Sequence, residues 1–169
     1  MRRDHKRTRI ALALAAGVGL VSSAAYGGAT ATSTFQVKVT IQAQCLAATA
    51  TTLDFGTQGV FAANVDQIST LQVQCTNTTP YNIGFDKGAN GIAVTARKMK
   101  GGPTNELLSY SIYSDAGRVT NWGNTVGTDT VSSIGNGAAQ SFTAYGRIPV
   151  QTTPTPGAYT DTITVTVTY

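Results

Sequence analysis

The sequence predicts an all-β domain folded as a β-sandwich. Short segments in which apolar and polar residues alternate are separated by Gly, Pro and Asn turn signals about 8–12 residues apart, which is typical of sandwiches. The composition is poor in charge and rich in Thr, Ala, Gly and Val, and the β-branched residues among these suit a pleated surface. Glu106 is the only glutamate, and no stretch of the presumptive domain shows a convincing helical period.

Residues 1–27 are expected to be an export signal. Residues 1–9 carry five Lys or Arg, residues 10–21 are apolar, and residues 22–28 are mostly small. This order is that of a signal peptide, and the apolar run is shorter than the ~20 residues that a membrane span needs. Cleavage is expected after Ala24 or Gly27.

Removal of this leader makes the protein nearly neutral. The whole chain has 12 Lys+Arg and 8 Asp+Glu, and the leader accounts for five of the bases and one acid, which leaves seven of each. The basic character of the whole chain therefore belongs to the export signal. No nucleic-acid partner is expected.

Cys45 and Cys75 are the only cysteines. In an exported chain, an even count predicts a disulfide. A metal site is disfavoured because the only histidine, His5, leaves with the leader. The bond would close a loop of about 30 residues and stabilise the fold by ~3–4 kcal/mol in the loop-entropy view.

Residues 34–44 have the clearest alternation in the chain. One side of this extended segment is apolar, and the other carries Thr, Gln and Lys. Because it directly follows the leader, its apolar side must be buried in its own domain or in another molecule. The apolar side consists of Phe35, Val37, Val39, Ile41 and Ala43.

Further strands are predicted along the chain. Residues 53–56 form a short strand ending in a glycine turn, residues 68–75 place Leu71, Val73 and Cys75 on one face, and residues 92–99 are strand-like ahead of a break at 100–103. Residues 159–169 alternate to the last residue, with Ile163, Val165, Val167 and Tyr169 on one face and threonines on the other.

No catalytic chemistry is expected. Without a histidine after the leader, Ser-His-Asp and Cys-His arrangements are excluded. A carboxylate pair for glycoside hydrolysis is the one alternative left open, but turn formation and surface solvation are strongly favoured as the roles of these acids. The six aspartates concerned are Asp54, Asp66, Asp86, Asp115, Asp129 and Asp161. No cofactor or metal is expected.

Five segments together resemble the spore coat protein U domain family, the subunit type of archaic (Csu-type) chaperone–usher pili. The resemblance covers essentially all of the chain after the leader. The segments are the alternating residues 35–43 running into Cys45; Leu53-Asp-Phe-Gly56; Leu71-Gln-Val-Gln-Cys75; residues 108–115 with Asn121-Trp-Gly123; and residues 157–169.

The resemblance implies an incomplete immunoglobulin-like β-sandwich that is completed by donor-strand exchange. Residues 28–44 would be a donor segment and residues 45–169 the pilin-like domain. Phe35, Val37, Val39 and Ile41 would bind the next subunit. The acceptor edge, which would bind a chaperone and then a donor strand, would consist of Ile163, Val165, Val167 and Tyr169.

The implied function is that of a structural pilus subunit, exported through the periplasm to a surface fibre for adhesion and biofilm formation. Its partners would be a periplasmic chaperone, an outer-membrane usher and other pilus subunits. In an isolated chain, residues 30–42 should then form no ladder with residues 163–169, and the C-terminal strand should have one unpaired edge.

Three alternatives remain from the sequence. Residues 34–44 could be the ordinary first strand of a complete sandwich. The chain could be a spore-coat or surface-layer structural protein without a fibre. It could also be a single-domain adhesive module that binds carbohydrate through surface aromatics such as Trp122, although a core position for this residue is favoured.

Overall fold

A computed structural model describes residues 27–46 and 48–169. Within them the chain forms nine β-strands, and the predicted all-β class is confirmed. The strands are β1 (Thr49–Ala50), β2 (Val65–Gln74), β3 (Pro80–Phe85), β4 (Arg97–Gly101), β5 (Glu106–Tyr113), β6 (Val131–Ile134), β7 (Ala139–Ile148), β8 (Tyr159–Thr160) and β9 (Val165–Thr168). None of the described residues belongs to a helix that could cross a membrane. Apart from Gly27, the predicted leader lies outside the described residues.

The strands form two antiparallel sheets. A six-stranded sheet has the order β1-β2-β7-β5-β4-β8, and a three-stranded sheet has the order β6-β3-β9. The longest ladder joins β2 to β7 and runs from Val65↔Ile148 to Gln74↔Ala139. Strand β9 lies at one end of its sheet, and β3 is its ladder partner among the described strands.

The chain divides into two units, residues 1–39 and residues 40–169. In the first unit, residues 27–39 have no assigned strand or helix and are exposed throughout. Phe35, Val37 and Val39 are 81–88% exposed, which is unusual for three large apolar side chains on one side of a segment. The first residues of the second unit continue this pattern, since Ile41 is 75% exposed.

The core of the second unit lies between the two sheets. Leu71, Val73 and Cys75 are each 1% exposed, as the alternation of β2 predicts. Trp122 is equally buried; it stacks on Phe85 with ring centroids 4.4 Å apart and donates its indole N–H to the Ile83 carbonyl at 2.8 Å. Trp122 is therefore a core residue, and the alternative in which it binds carbohydrate at the surface is excluded.

A buried arginine ties the two sheets together. The Arg97 side chain is fully buried, and its guanidinium donates to the carbonyls of Asp86, Phe85 and Trp122 at 2.7–2.9 Å. Burial lowers the pKa of Arg97. Three backbone carbonyls replace part of the water that this cation loses, which is how a protein tolerates a buried charge.

The predicted disulfide is present between Cys45 and Cys75. Backbone hydrogen bonds on both sides of it, from Leu46 N to Gln74 O at 2.8 Å and from Thr76 N to Gln44 O at 2.9 Å, pair the two chain segments. Gln44 also donates its backbone N–H to the Thr76 hydroxyl at 3.0 Å. The chain is thus held in a defined direction where it enters the domain.

Several predicted strands differ from those observed. Residues 34–44 have no assigned strand. Residues 53–56 form no ladder. The pairing with β2 ends at Thr51, whose hydroxyl accepts the Thr70 N–H at 2.9 Å and whose carbonyl accepts the Ser69 hydroxyl at 2.6 Å. Residues 92–96 form a turn in which Ala96 N donates to Ala93 O at 2.9 Å. The strand begins only at Arg97, whose buried guanidinium sets its position, and it includes Lys100 and Gly101 of the predicted break.

Candidate functional site: a hydrophobic groove

A groove of about 1070 Å³ opens between the two sheets of the second unit. One wall is formed by residues 50–59, which follow β1, and the other by residues 153–163, which lead into and out of β8. The floor is formed by inward side chains of both sheets. These are Leu71, Phe85, Met99, Leu108, Tyr110, Ile112, Ala144 and Ile148.

The floor is apolar because it is the core of the sandwich seen from one side. Leu71, Leu108 and Ile112 are at most 4% exposed, so only a narrow strip of the groove floor is left for a bound peptide to cover. The groove has backbone on both sides and apolar side chains beneath. An extended peptide with alternating apolar residues fits such a site, because it can bond to the backbone while every second side chain enters the groove.

A proline-containing strap closes one end of the groove. The strap consists of residues 153–157, all of which line the groove. The Phe61 backbone N–H donates to the Thr153 hydroxyl at 3.0 Å, and the Thr155 N–H donates to the Glu106 carboxylate at 2.8 Å. This N–H holds the pKa of Glu106 below its ordinary value. The strap is therefore anchored to Phe61 and to the first residue of β5.

The C-terminal wall crosses from one sheet to the other. Tyr159 and Thr160 pair with β4, whereas Val165–Thr168 pairs with β3. In the intervening stretch, Asp161 accepts hydrogen bonds from the backbone N–H groups of Ala89 and Asn90 at 3.0 and 3.2 Å. The continuous strand predicted for residues 159–169 is interrupted between Thr160 and Val165, where the segment passes from β4 to β3.

The four residues predicted for the acceptor edge do not have equivalent positions. Ile163 and Val165 line the groove. Val167 is half-buried against the core, and Tyr169 is 60% exposed. The side chains on the alternate positions, Thr162, Thr164 and Thr166, are exposed. Apolar and polar side chains alternate as predicted, but of the four apolar residues only Ile163 and Val165 border the groove.

The sequence does not predict the groove residues outside the C-terminal segment. Leu53-Asp-Phe-Gly56 contributes to the family resemblance, but nothing in its pattern or in that of the strap indicates a groove, because their approach depends on how the sheets pack. The predicted donor residues Phe35, Val37, Val39 and Ile41 belong to no strand in the described part of the chain.

Within the described residues, no group of three or more His, Cys, Asp or Glu side chains could hold a metal ion. The six aspartates accept hydrogen bonds from different donors, although Asp86 and Asp161 both bind the turn at residues 88–90. Asp86, for example, accepts the N–H groups of Gly88 and Thr164 at 2.9 Å. Burial opposes ionisation here, but these donors hold the pKa of Asp86 below its ordinary value.

Comparison with known proteins assigns the chain to a family. The Spore Coat Protein U domain matches residues 31–166. This chain belongs to that family. Its curated relatives include Protein U of Myxococcus xanthus, which is 33% identical over 129 residues, or 70% of this chain and 72% of the relative.

A solved structure shares the fold of this family member. It is the crystal structure of the CsuC-CsuE chaperone-tip adhesion subunit pre-assembly complex from the archaic chaperone-usher Csu pili of Acinetobacter baumannii. The match has a TM-score of 0.56 and 27% identity and covers 77% of this chain. This chain spans only 40% of the length of the solved chain. The predicted immunoglobulin-like, all-β fold is confirmed, as is the family resemblance.

Proposed function

We propose that this protein is a chaperone–usher pilus subunit whose groove accepts an extended strand from a partner. The groove itself carries the proposal: it exposes the sandwich core along a strip that a peptide of alternating character would cover. In the periplasm the strand would come from a chaperone. In the fibre, assembled at an outer-membrane usher, it would come from the next subunit.

The chain contains a segment suited to the second role. Residues 34–44 alternate strictly, and their large apolar side chains are exposed. Burying each of these side chains in a partner's groove would contribute roughly 1.5–3 kcal/mol. Backbone hydrogen bonds to the groove walls would add direction and would satisfy an edge that otherwise favours aggregation.

The attachment of this segment favours exchange between subunits. Gln44 is held by hydrogen bonds beside the disulfide, and the groove wall of residues 50–59 begins only a few residues later. Residues 35–41 join this fixed point without a linker, and each residue spans at most ~3.3–3.6 Å, so few residues are available to reach a groove in the same domain. A groove in a neighbouring subunit is not limited by this connection.

A charge placed on either side of the donor segment tests this proposal. Val39→Asp or Ile41→Asp should abolish fibres, since an unpaired charge in an apolar groove costs several kcal/mol. Thr40→Asp is the matched control, because its side chain lies on the polar side and fibres should persist. The subunit–chaperone complex should survive in all three variants. Normal fibres from the Val39 or Ile41 variant would count against the donor role.

A coat or surface-layer protein without a fibre is the second candidate, and the relative named Protein U is the observation in its favour. Purification from the periplasm separates the two readings. A pilus subunit should be recovered with a chaperone, and genes for a chaperone and an usher should neighbour its own. Recovery of a stable monomer, with neither gene nearby, would favour the coat protein.

If the protein forms a fibre, the fibre would serve adhesion and biofilm formation.

A further inference from the structure

The outward face of the six-stranded sheet has a distinct set of side chains. Because successive residues point to opposite sides of a strand, this face carries the residues that alternate with the groove floor. Its charged members are Lys98 and Lys100 of β4, Arg147 of β7 and Asp66 of β2. Arg118 joins them from the loop that follows β5. We call the surface formed by these residues and the neighbouring tyrosines the basic face.

Positive charge is concentrated on the basic face. Residues 40–169 contain six Lys and Arg residues, of which Arg97 is buried. Four of the other five, Lys98, Lys100, Arg118 and Arg147, belong to this face, and Lys87 lies elsewhere. Two acids lie nearby: Asp66, which pairs with Arg147 at 2.7 Å and with Arg118 at 3.3 Å, and Asp115, which accepts the N–H groups of Val119 and Thr120. Four cations less these two acids leave the face with a net charge of +2. A protein of near-neutral charge thus has one cationic surface.

Aromatic rings lie across the same surface. The register places Ile68, Tyr145 and Tyr113 opposite one another on three adjacent strands, β2, β7 and β5. Both tyrosines are half-buried, and Ile68 is exposed. Asp66 and Arg147 form the next row on the same side. Flat aromatic faces beside charged groups are characteristic of surfaces that contact partly apolar, partly polar ligands.

Arg118 is held in place at a conformational cost. Its φ of 55° is in the left-handed region, which is uncommon for a residue other than glycine. Its side chain donates to the Gly146 carbonyl at 3.2 Å, approaches Asp66 at 3.3 Å and lies over the Tyr145 ring at 5.7 Å from the centroid. Strained residues held by several contacts occur preferentially at binding sites, and here the strain delivers a guanidinium to the aromatic row.

We infer that the basic face binds an acidic polysaccharide, with guanidinium and ammonium groups contacting its carboxylates and the tyrosines contacting its sugar rings. The cations and the aromatic row extend along β5 from the level of residue 107 to that of residue 113. This is about 20 Å at ~3.3 Å per residue, a length suited to a polymer. Because the site lies on the opposite side of the sheet from the groove, a strand that fills the groove does not cover it, and the test of this site does not depend on the proposed assembly.

Binding of polygalacturonate to the mature protein, in the form isolated from the periplasm, tests this inference. Dextran, single-stranded DNA and anionic phospholipid vesicles serve as comparison ligands. The wild-type protein should bind polygalacturonate saturably and dextran far more weakly, and the affinity should fall with salt. DNA and vesicles should bind more weakly than polygalacturonate, because their attraction uses charge without the tyrosine contacts.

Three variants test whether binding requires the specific arrangement of Arg118 and Tyr113 or only the positive charge of the surface. Arg118→Gly retains a residue that tolerates the positive φ, and it should weaken binding roughly tenfold, or ~1.4 kcal/mol. Tyr113→Ala should weaken binding to a similar extent without changing the charge. Lys87→Ala removes a cation elsewhere and should leave binding within about twofold. Equal melting temperatures establish that the variants are folded.

Absence of polygalacturonate binding at physiological salt would overturn the inference. It would also be overturned if Tyr113→Ala bound as tightly as the wild type, or if DNA or vesicles bound as tightly as polygalacturonate.

Discussion

Tyr110 donates its phenolic hydroxyl to Asp161 Oδ2 across 2.7 Å at the wall of the groove. The other oxygen of Asp161 accepts N–H groups of Ala89 and Asn90. One carboxylate therefore links β5, the turn after β3, and the C-terminal segment at the point where that segment passes from one sheet to the other. Burial and this hydrogen bond raise the pKa of Tyr110.

Asp161→Asn should destabilise the protein by about 1.5–3 kcal/mol, since it replaces charge-assisted hydrogen bonds with weaker ones while preserving size. Tyr110→Phe should cost about 1–2 kcal/mol by leaving one carboxylate oxygen without this donor. Urea unfolding of the mature protein measures both effects. Thr162→Ala is the control, because this neighbouring side chain is exposed. Midpoints indistinguishable from that of the control would contradict a structural role for the bond.

Replacement of Cys45 or Cys75 by Ser should lower the free energy of unfolding by ~3–4 kcal/mol, because the bond closes a loop across a sequence separation of 30 residues. Cys75 is also buried, so its replacement by Ser adds the cost of a buried hydroxyl. A sharp fall in periplasmic yield is the accessible readout. Mass analysis of the wild-type protein should detect no free thiol, and detection of two would rule out the bond.

Thr78→Asn should stabilise the protein by about 0.5–1 kcal/mol. Thr78 has a φ of 64°, an unfavourable conformation for a β-branched residue that Asn adopts more readily. The side chain is exposed, so little packing is lost, and the hydrogen bond from Thr78 N to Gly135 O is retained. Thr166→Asn, at an exposed position in β9, should not stabilise. A lower melting temperature for the Thr78 variant would show that its side chain has another role.

Stability should be nearly constant from about pH 5 to pH 9 and should fall on both sides. Hydrogen bonds lower the pKa values of Asp66, Asp86, Glu106 and Asp115, so the stability they contribute is present above ~pH 4–4.5 and is lost as the pH falls through the lowered values. The raised pKa of Tyr110 acts in the opposite direction. Its contribution is complete below ~pH 10 and is lost above it.

Melting temperatures measured across this range check the prediction. The only histidine is His5, so no histidine titration is expected in a chain that lacks the leader. A stability change of more than about 1 kcal/mol between pH 6 and pH 8 would contradict this assignment. Asp115→Asn should reduce the acid dependence, because the Thr120 N–H that lowers its pKa favours the ionised form.

The sequence by itself determined the fold class, the family, the disulfide and the inward faces of the long strands. The family rests on the resemblance of five segments, and the other three follow from local rules. Alternation places Leu71, Val73 and Cys75 on one side of β2 whatever its neighbours are, and an even cysteine count in an exported chain predicts a bond. The position of Trp122 in the core was favoured on the same grounds, since a large aromatic residue is costly to expose.

Only the tertiary structure decided where the groove lies and which residues line it. Residues 50–59 and 153–163 are about a hundred positions apart, and their approach depends on sheet packing that no local pattern encodes. By its sequence Asp161 is an ordinary turn residue, yet donors from three distant residues, Ala89, Asn90 and Tyr110, converge on its carboxylate. The basic face likewise emerges only from strand register, which sets Tyr113 beside Tyr145 and Arg147 beside Asp66. The face of a strand on which a side chain lies follows from local alternation. The residues opposite it on adjacent strands depend on the register, which the packing of the whole domain determines.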